Sequence, residues 1–208
     1  MAHITISNYH SSPTKRTLDI TFSTICLIIT SPLVLLISLL IKLTSDGDVF
    51  FLQKRTGKNG KVFIIIKFRT MIPNAERIKP RLKKQNQADG LVFKIRDDPR
   101  FTKFGKLLSR TGLDELPQMI NVLKGEMSMV GPRPLPVKEA FRLTREQKIR
   151  ELVKPGITSS WVIGGSHKLS FKKWMSLDRK YVENATFVSD LSIIKDTVIL
   201  IGNFILKL

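Results

Sequence analysis

The sequence predicts an α/β domain attached to a membrane. Three observations lead there: a long uncharged apolar run near the N-terminus, two strand-like runs around a hairpin loop, and several helical segments of amphipathic pattern. The chain has 208 residues, with 35 Lys+Arg against 17 Asp+Glu and a formal net charge of +18. That length suits one domain with an appendage and is enough to bury a real core. The charge calls for a polyanionic partner: nucleic acid, anionic lipid or a phosphorylated substrate.

The apolar run is "ITFSTICLIITSPLVLLISLLI", residues 20–41. As a continuous helix it would be roughly 33 Å long, enough to cross a bilayer. It is too long for the core of a signal peptide, and no small-x-small cleavage pattern follows it. The single cysteine, Cys26, lies inside it, so no intrachain disulfide can form. Ser31 and Pro32 stand at its midpoint. Proline removes a backbone donor and crowds the carbonyl four residues back, so it kinks or breaks a helix. Ser31 can bond a backbone carbonyl that the proline frees. Lys15 and Arg16 precede the run; Lys42, Lys54, Arg55, Lys58 and Lys61 follow it. Basic residues mark the cytoplasmic side of a membrane segment. Two basic flanks fit a segment that enters and turns back at Ser31-Pro32. The alternative is a kinked single span.

The remaining elements follow in order. "VFFLQ" and "KVFIIIKF" flank "TGKNG", a hairpin signal with Asn59-Gly60 in the loop. Residues 74–88 predict a basic surface helix or loop, and "LVFKI" (91–95) a short strand. Residues 100–109 predict an amphipathic helix with Arg100, Lys103 and Lys106 on its polar side. A helix over 115–124 should end at Gly125. Residues 137–152 and 170–185 read as helices, "KPGI" (154–157) as a turn, and the tail from Asp190 as an apolar amphipathic segment. No repeat or low-complexity linker interrupts the chain. The organisation is residues 1–43, an N-terminal segment with the membrane helix, and residues 44–208, a domain with membrane-surface helices.

Chemistry points to "GLDELP". Acids are scarce, yet Asp114 and Glu115 are adjacent and precede Pro117. Asp114 as N-cap, with Glu115 at the positive end of the helix dipole, is the structural explanation. The same geometry serves catalysis. Consecutive helical residues point about 100° apart, so one carboxylate can attack or accept a proton while the other holds a metal ion. A helix N-terminus also presents N–H groups to phosphate oxygens. Arg133, between Pro132 and Pro134, suits two-pronged phosphate binding, or else is a solvated arginine. Lys67 and Arg69 end a strand and can join such an anion site. The three histidines are scattered without cysteine partners, so no zinc pattern exists, and no phosphate-binding glycine loop is present. Nucleic-acid binding would need a reading helix or an aromatic stacking sheet, and neither is evident. Basic residues spread along the whole chain fit an anionic membrane surface better.

Together, a Ser-Pro-broken apolar segment, "DVFFLQKRTGKNGKVFIIIKFRTM", "LDELPQMINVLKGEMSMVGPRP", "VKPGIT" and "LDRKYVEN" resemble the bacterial sugar transferases. These are monotopic phosphoglycosyl transferases. The resemblance runs from about Lys15 to the end. It implies a monotopic membrane protein whose N-terminal helix is broken and re-entrant, in a bacterial inner membrane, with the catalytic domain facing the cytoplasm. It implies transfer of a sugar 1-phosphate from a nucleoside diphosphate sugar, usually a UDP-sugar, to undecaprenyl phosphate, with release of UMP. Asp114 would be the nucleophile and form a covalent phosphosugar intermediate. Glu115 would be a ligand of Mg²⁺. Lys67, Arg69, Arg110, Arg133, Asp178 and Tyr181 would bind substrate. Partners would be the two substrates and the inner leaflet, not nucleic acid, and a homodimer is allowed. The chain departs from the family at Ser109, Val162 and Ser166, where Arg, Gln and Arg are usual, which bears on nucleotide contacts and sugar choice. The alternative reading is a membrane-bound relative of weakened activity that serves as a scaffold in glycan assembly.

Overall fold

The structure is a computed structural model that describes residues 5–206; the ends of the two predicted segments, 1–4 and 207–208, lie outside the described residues. Among the described residues, eight α-helices and two small sheets make up the fold. The helices are α1 (Pro13–Thr44), α2 (Ala75–Ile78), α3 (Lys103–Thr111), α4 (Met119–Leu123), α5 (Val137–Ala140), α6 (Ser160–Ile163), α7 (Phe171–Asn184) and α8 (Phe187–Ile205). Strands β1 (Phe50–Thr56) and β2 (Val62–Phe68) form the antiparallel hairpin; β3 (Ser128–Val130) and β4 (Gly156–Thr158) pair in parallel.

The hairpin turns where the sequence places it. Asn59 and Gly60 both have positive φ, 55° and 75°, the conformation these two residues adopt most easily. The outer edge of β2 is closed by a side chain. Asn121 accepts from the Ile66 N–H (3.1 Å) and donates to the Ile64 carbonyl (2.7 Å), as a neighbouring strand would.

Helix α1 differs from the expected broken segment. Helical backbone continues through Pro32 from Pro13 to Thr44. The carbonyl that proline leaves without its N–H partner is that of Ile28, and the Ser31 hydroxyl donates to it at 2.9 Å. The defect is thus repaired locally. One stripe of α1 is covered by protein at both ends: Leu18, with Phe22 and Cys26 packed alongside, joins the central core, whereas Ile37 and Ile41 join Phe68 and Leu108. The opposite face is open; Ile28 and Ile29 are 68% and 72% exposed. Such a long apolar helix is compatible with membrane association.

The N-terminal basic flank faces inward rather than toward solvent. Lys15 is buried and donates to Asp190 (2.6 Å), Asp19 (3.3 Å) and the Val130 carbonyl (3.2 Å). Arg16 donates to the Val122 and Leu123 carbonyls, both at 2.7 Å, closing the end of α4. These bonds fasten the start of α1 to the same domain that holds its other end.

Three further expectations change. Residues 91–95 are not a strand, because side chains take over the backbone groups a strand would offer: Asn86 accepts from the Lys94 N–H (2.7 Å) and Gln87 from the Arg96 N–H (2.8 Å). Residues 137–152 hold only α5 and a 3₁₀ turn, Gln147–Leu152. The predicted turn at 154–157 runs into β4, whose partner β3 is far away in sequence.

Candidate active site

Asp114 and Glu115 lie in a 3₁₀ turn, Leu113–Gln118, between α3 and α4. Gly112 makes this possible: its φ of 74° ends α3 in the left-handed region and redirects the chain. The expected N-cap is therefore absent. Among the described residues, the Asp114 carboxylate has no hydrogen-bond partner except its own backbone N–H. It is 5% exposed. Burial, reinforced by the Glu115 charge, pushes its pKa up to about 7, against the pull of Lys67 and Arg133.

Glu115 is held differently. The Arg133 guanidinium grips it with two N–H bonds, Nη2 to Oε1 at 2.5 Å and Nη1 to Oε2 at 3.3 Å. Burial alone would raise the Glu115 pKa; Arg133 outweighs it and keeps the carboxyl below its ordinary range. So the two adjacent acids are split into one ionised and one poised near neutrality, a division that suits separate chemical roles.

Arg133 is itself braced. Its backbone carbonyl accepts from Arg150 Nη2 at 2.6 Å, and Arg150 is paired with Asp178 at 3.0 Å, both buried. Its guanidinium lies over the Trp161 ring at 5.9 Å, Trp161 stacks on Trp174 at 4.4 Å, and Arg150 lies over Trp174 at 5.0 Å. Asp178 thus acts through Arg150 and does not line the cleft. Tyr181 is also behind the site: its hydroxyl donates to Asp190 (2.8 Å) and the Val130 carbonyl (2.9 Å). The structure does not bring these two expected substrate ligands to the dyad.

The dyad opens into a cleft of about 1690 Å³. Lys67, Arg69, Arg110 and Arg133 all line it. Lys67 sits over the Phe51 ring at 5.4 Å, and burial lowers its pKa against the pull of Asp114. Arg69 donates to the Ser45 carbonyl (2.9 Å), tying the end of α1 to the end of β2. Arg110 is exposed and pairs with Asp97 at 3.1 Å. Ser109, Val162 and Ser166 line the cleft as well, so the departures from the expected pattern fall on its walls and leave the dyad intact.

Among the cleft cations that the sequence reading did not assign to the site, Arg55 and Lys94 feel the Arg133 charge. Arg55 donates to the Pro134 carbonyl at 2.9 Å, and burial, followed by the Arg133 charge, pushes its pKa down to about 10. The two-residue alternation of "FFLQKRT" puts Arg55 on the Phe51 and Gln53 face, a signal that was available. Lys94 is pushed down to about 8 by burial and then by Arg133.

The model of the family described as bacterial sugar transferase matches residues 10–203. The chain belongs to the bacterial sugar transferase family. Among relatives of this sugar transferase chain, the galactosyl transferase CpsE of Streptococcus agalactiae serotype III is 44% identical over 192 residues, covering 90% of this chain and 42% of that protein. The exopolysaccharide production protein ExoY of Sinorhizobium fredii is 37% identical over 188 residues, covering 88% of this chain and 83% of ExoY. The undecaprenyl-phosphate galactose phosphotransferase of Salmonella typhimurium is 38% identical over 191 residues, covering 88% of this chain and 39% of that protein. The sugar transferase chain thus spans less than half of two of these relatives and most of the third.

Proposed function

We propose that the chain transfers a sugar 1-phosphate from a nucleoside diphosphate sugar, a UDP-sugar, to undecaprenyl phosphate, an initiating step of bacterial glycan assembly. The observation that carries this is the buried, unpartnered Asp114 carboxylate facing a cation-lined cleft beside a neutralised Glu115–Arg133 pair. The named activity of the Salmonella relative supports the acceptor.

An Asp114 oxygen attacks the β-phosphorus. The bond from that phosphorus to the oxygen bridging to the α-phosphate breaks, UMP leaves with the electron pair, and a sugar phosphate remains on Asp114. A phosphate oxygen of undecaprenyl phosphate then attacks the same phosphorus and displaces the Asp114 carboxylate. The product is undecaprenyl-diphosphate sugar. Splitting the transfer lets a soluble donor and a lipid acceptor react in turn at one carboxylate. Lys67 offsets phosphate charge in the cleft. Arg133 has N–H groups beyond the two it gives Glu115 and can hold a phosphate oxygen while keeping that carboxylate in place.

The donor set suits Mg²⁺: two adjacent carboxylates facing a cleft that admits phosphates, since this ion takes one or two carboxylates plus substrate oxygens. Glu115 is the ligand we assign to it, with Asp114 kept for attack. Bound there, the ion would neutralise charge on the transferring phosphoryl group.

The attachment of both ends of α1 to one domain supports a monotopic arrangement, with the helix dipping into the inner membrane and the catalytic domain on the cytoplasmic side. A span would have to carry one of those docked ends across the bilayer.

The test is to incubate the protein with Mg²⁺ and UDP-sugars, without lipid, and examine the Asp114 peptide by mass spectrometry. The expected result is UMP release matched by a sugar-phosphate adduct on Asp114. UMP appearing only when lipid is added, with no adduct ever trapped, would replace this scheme with direct transfer.

A further inference from the structure

Beside Arg133 the cleft wall forms a corner whose side chains the transfer scheme leaves unused. Gln53 and Arg55 reach it from one face of β1. Glu139 comes from α5, and Glu76 and Lys79 from the stretch that begins with α2. Backbone bonds hold β1 and α5 together. The Thr56 N–H donates to the Leu135 carbonyl at 3.0 Å, and Arg55 pairs with Pro136 as an isolated bridge. The Glu139 N–H then closes onto the Pro136 carbonyl at 2.9 Å. Lys79 meets the Glu139 carboxylate at 3.8 Å, a loose contact that brings in the third element. The hydrogen-bonding groups of this corner are underused. Arg55 gives one N–H to the Pro134 carbonyl at 2.9 Å, and its buried Nε has no acceptor among the described residues. The Gln53 amide makes no hydrogen bond among them either. Burial holds the Glu139 carboxyl above its ordinary range, against the pull of Lys79 and Arg55.

We infer that this corner binds the hydroxyl groups of the donor's sugar and sets which sugar is transferred, with Glu139 as the principal acceptor. The inference rests on the transfer reaction proposed above. Chemistry selects a polyol. The phosphates of the donor offer only acceptors and negative charge, so a carboxylate repels them, whereas a sugar hydroxyl donates and accepts at once. Glu139 and Glu76 supply acceptors, Arg55 and Lys79 supply donors, and the Gln53 amide supplies both, a set that can follow neighbouring hydroxyls around a ring. Position selects the transferred sugar over the ribose. Arg55 is bonded to Pro134, the residue after Arg133, and Arg133 grips Glu115, so the corner adjoins the carboxylates that meet the reacting phosphorus. The transferred sugar is attached to that phosphorus directly, whereas the ribose lies one phosphate further away. A hydroxyl of the wrong configuration leaves Glu139 or its neighbours without a partner, and that loss discriminates between substrates.

The test reads binding and reaction separately. Dissociation constants are measured by calorimetry on the full chain in detergent, with Mg²⁺, in an Asp114→Asn background that holds donors without consuming them. The ligands are UDP-glucose, its epimer UDP-galactose, UDP-N-acetylglucosamine, and UMP, which carries the ribose but no transferred sugar. Glu139→Gln in that background should weaken the best-bound UDP-sugar about tenfold or more and narrow its advantage over the others, while UMP binds as before. Glu76 is exposed, so Glu76→Gln tests the same corner without risk to folding; it should shift the same preference in the same direction by a smaller factor. A loss for UMP equal to that for the UDP-sugars would put the ribose or the phosphates at the corner and overturn the inference. So would losses that leave the relative affinities of the UDP-sugars unchanged, or no loss at all. Adduct formation on Asp114 with donor alone is scored in parallel, on protein that keeps Asp114. A sugar preference that responds to Glu139 without any adduct would keep the corner and remove the proposed reaction, whereas an adduct with an unresponsive preference would do the reverse.

Discussion

Lys15, Asp19 and Asp190 at the start of α1 and Asp114, Glu115 and Arg133 in the cleft are both clusters of charge within protein, but only the first is closed. Asp19 accepts from Lys15, from the Ser128 hydroxyl (2.8 Å) and from the Met129 N–H (2.9 Å). Asp190 accepts from Lys15 and from the hydroxyls of Tyr9 (3.2 Å) and Tyr181 (2.8 Å). In the cleft, Glu115 is paired but Asp114 keeps only its own N–H. A buried carboxylate without partners is costly and persists where something else selects for it. The difference separates a structural fastening from a reactive centre built of the same residue types.

The comparison breaks most visibly if Asp114 proves dispensable. Asp114→Asn should lower turnover by about 10⁴-fold or more, as removal of a nucleophile does, and should abolish the adduct while the protein folds normally. UMP release and mass spectrometry check both. Asp190→Asn should show the opposite profile. It should cost about 3–5 kcal/mol of stability, because Lys15 is left buried without its strongest partner, while activity per folded molecule changes little. Denaturant unfolding in detergent alongside the UMP assay separates the two effects.

The pH dependence of stability sharpens the contrast. A folded pKa near 7 against an ordinary 3.8 means that the folded chain holds a proton on Asp114 that the unfolded chain has released. Through this group the folded chain loses stability as pH rises from 3.8 to about 7. Asp114→Asn removes that dependence, so the variant should be the more stable at pH 8, by on the order of a few kcal/mol, and equal to wild type near pH 4. Thermal melts at the two pH values decide it. The smallest of these effects belongs to Arg133. Arg133→Ala should cost roughly 2 kcal/mol in kcat/KM, and Arg133→Lys should recover only part, since a point charge cannot reproduce a two-pronged contact. A fully active lysine variant would remove that role.

What was legible in the sequence was whatever has a local signature. The hairpin follows from Asn59-Gly60, α3 and α7 from their periodicity, and the dyad from its place beside Pro117. Non-local pairings were not legible. Strands β3 and β4 are three residues each, too short to show a period, and exist because distant segments meet. Lys15 and Arg16 read as a basic flank marking the cytoplasmic side of the membrane segment, yet both are taken up by partners over a hundred residues away. The 15–19 spacing of Lys and Asp was a local hint that Lys15 had a partner within the protein. Asp178 and Tyr181 belong to a recognisable motif, but a motif does not say whether a residue touches substrate or braces one that does.

The fastening of α1 also sets an order of events during synthesis. Its partners are the Val122, Leu123 and Val130 carbonyls and Asp190, which follow it by 106 to 175 residues. At about 5–20 residues per second, a ribosome needs roughly 10–35 s to supply the last of them. For that interval the N-terminal half of this apolar helix lacks its fastening. Its earliest refuge is the bilayer, and the catalytic domain must then assemble around a segment that is already lodged there.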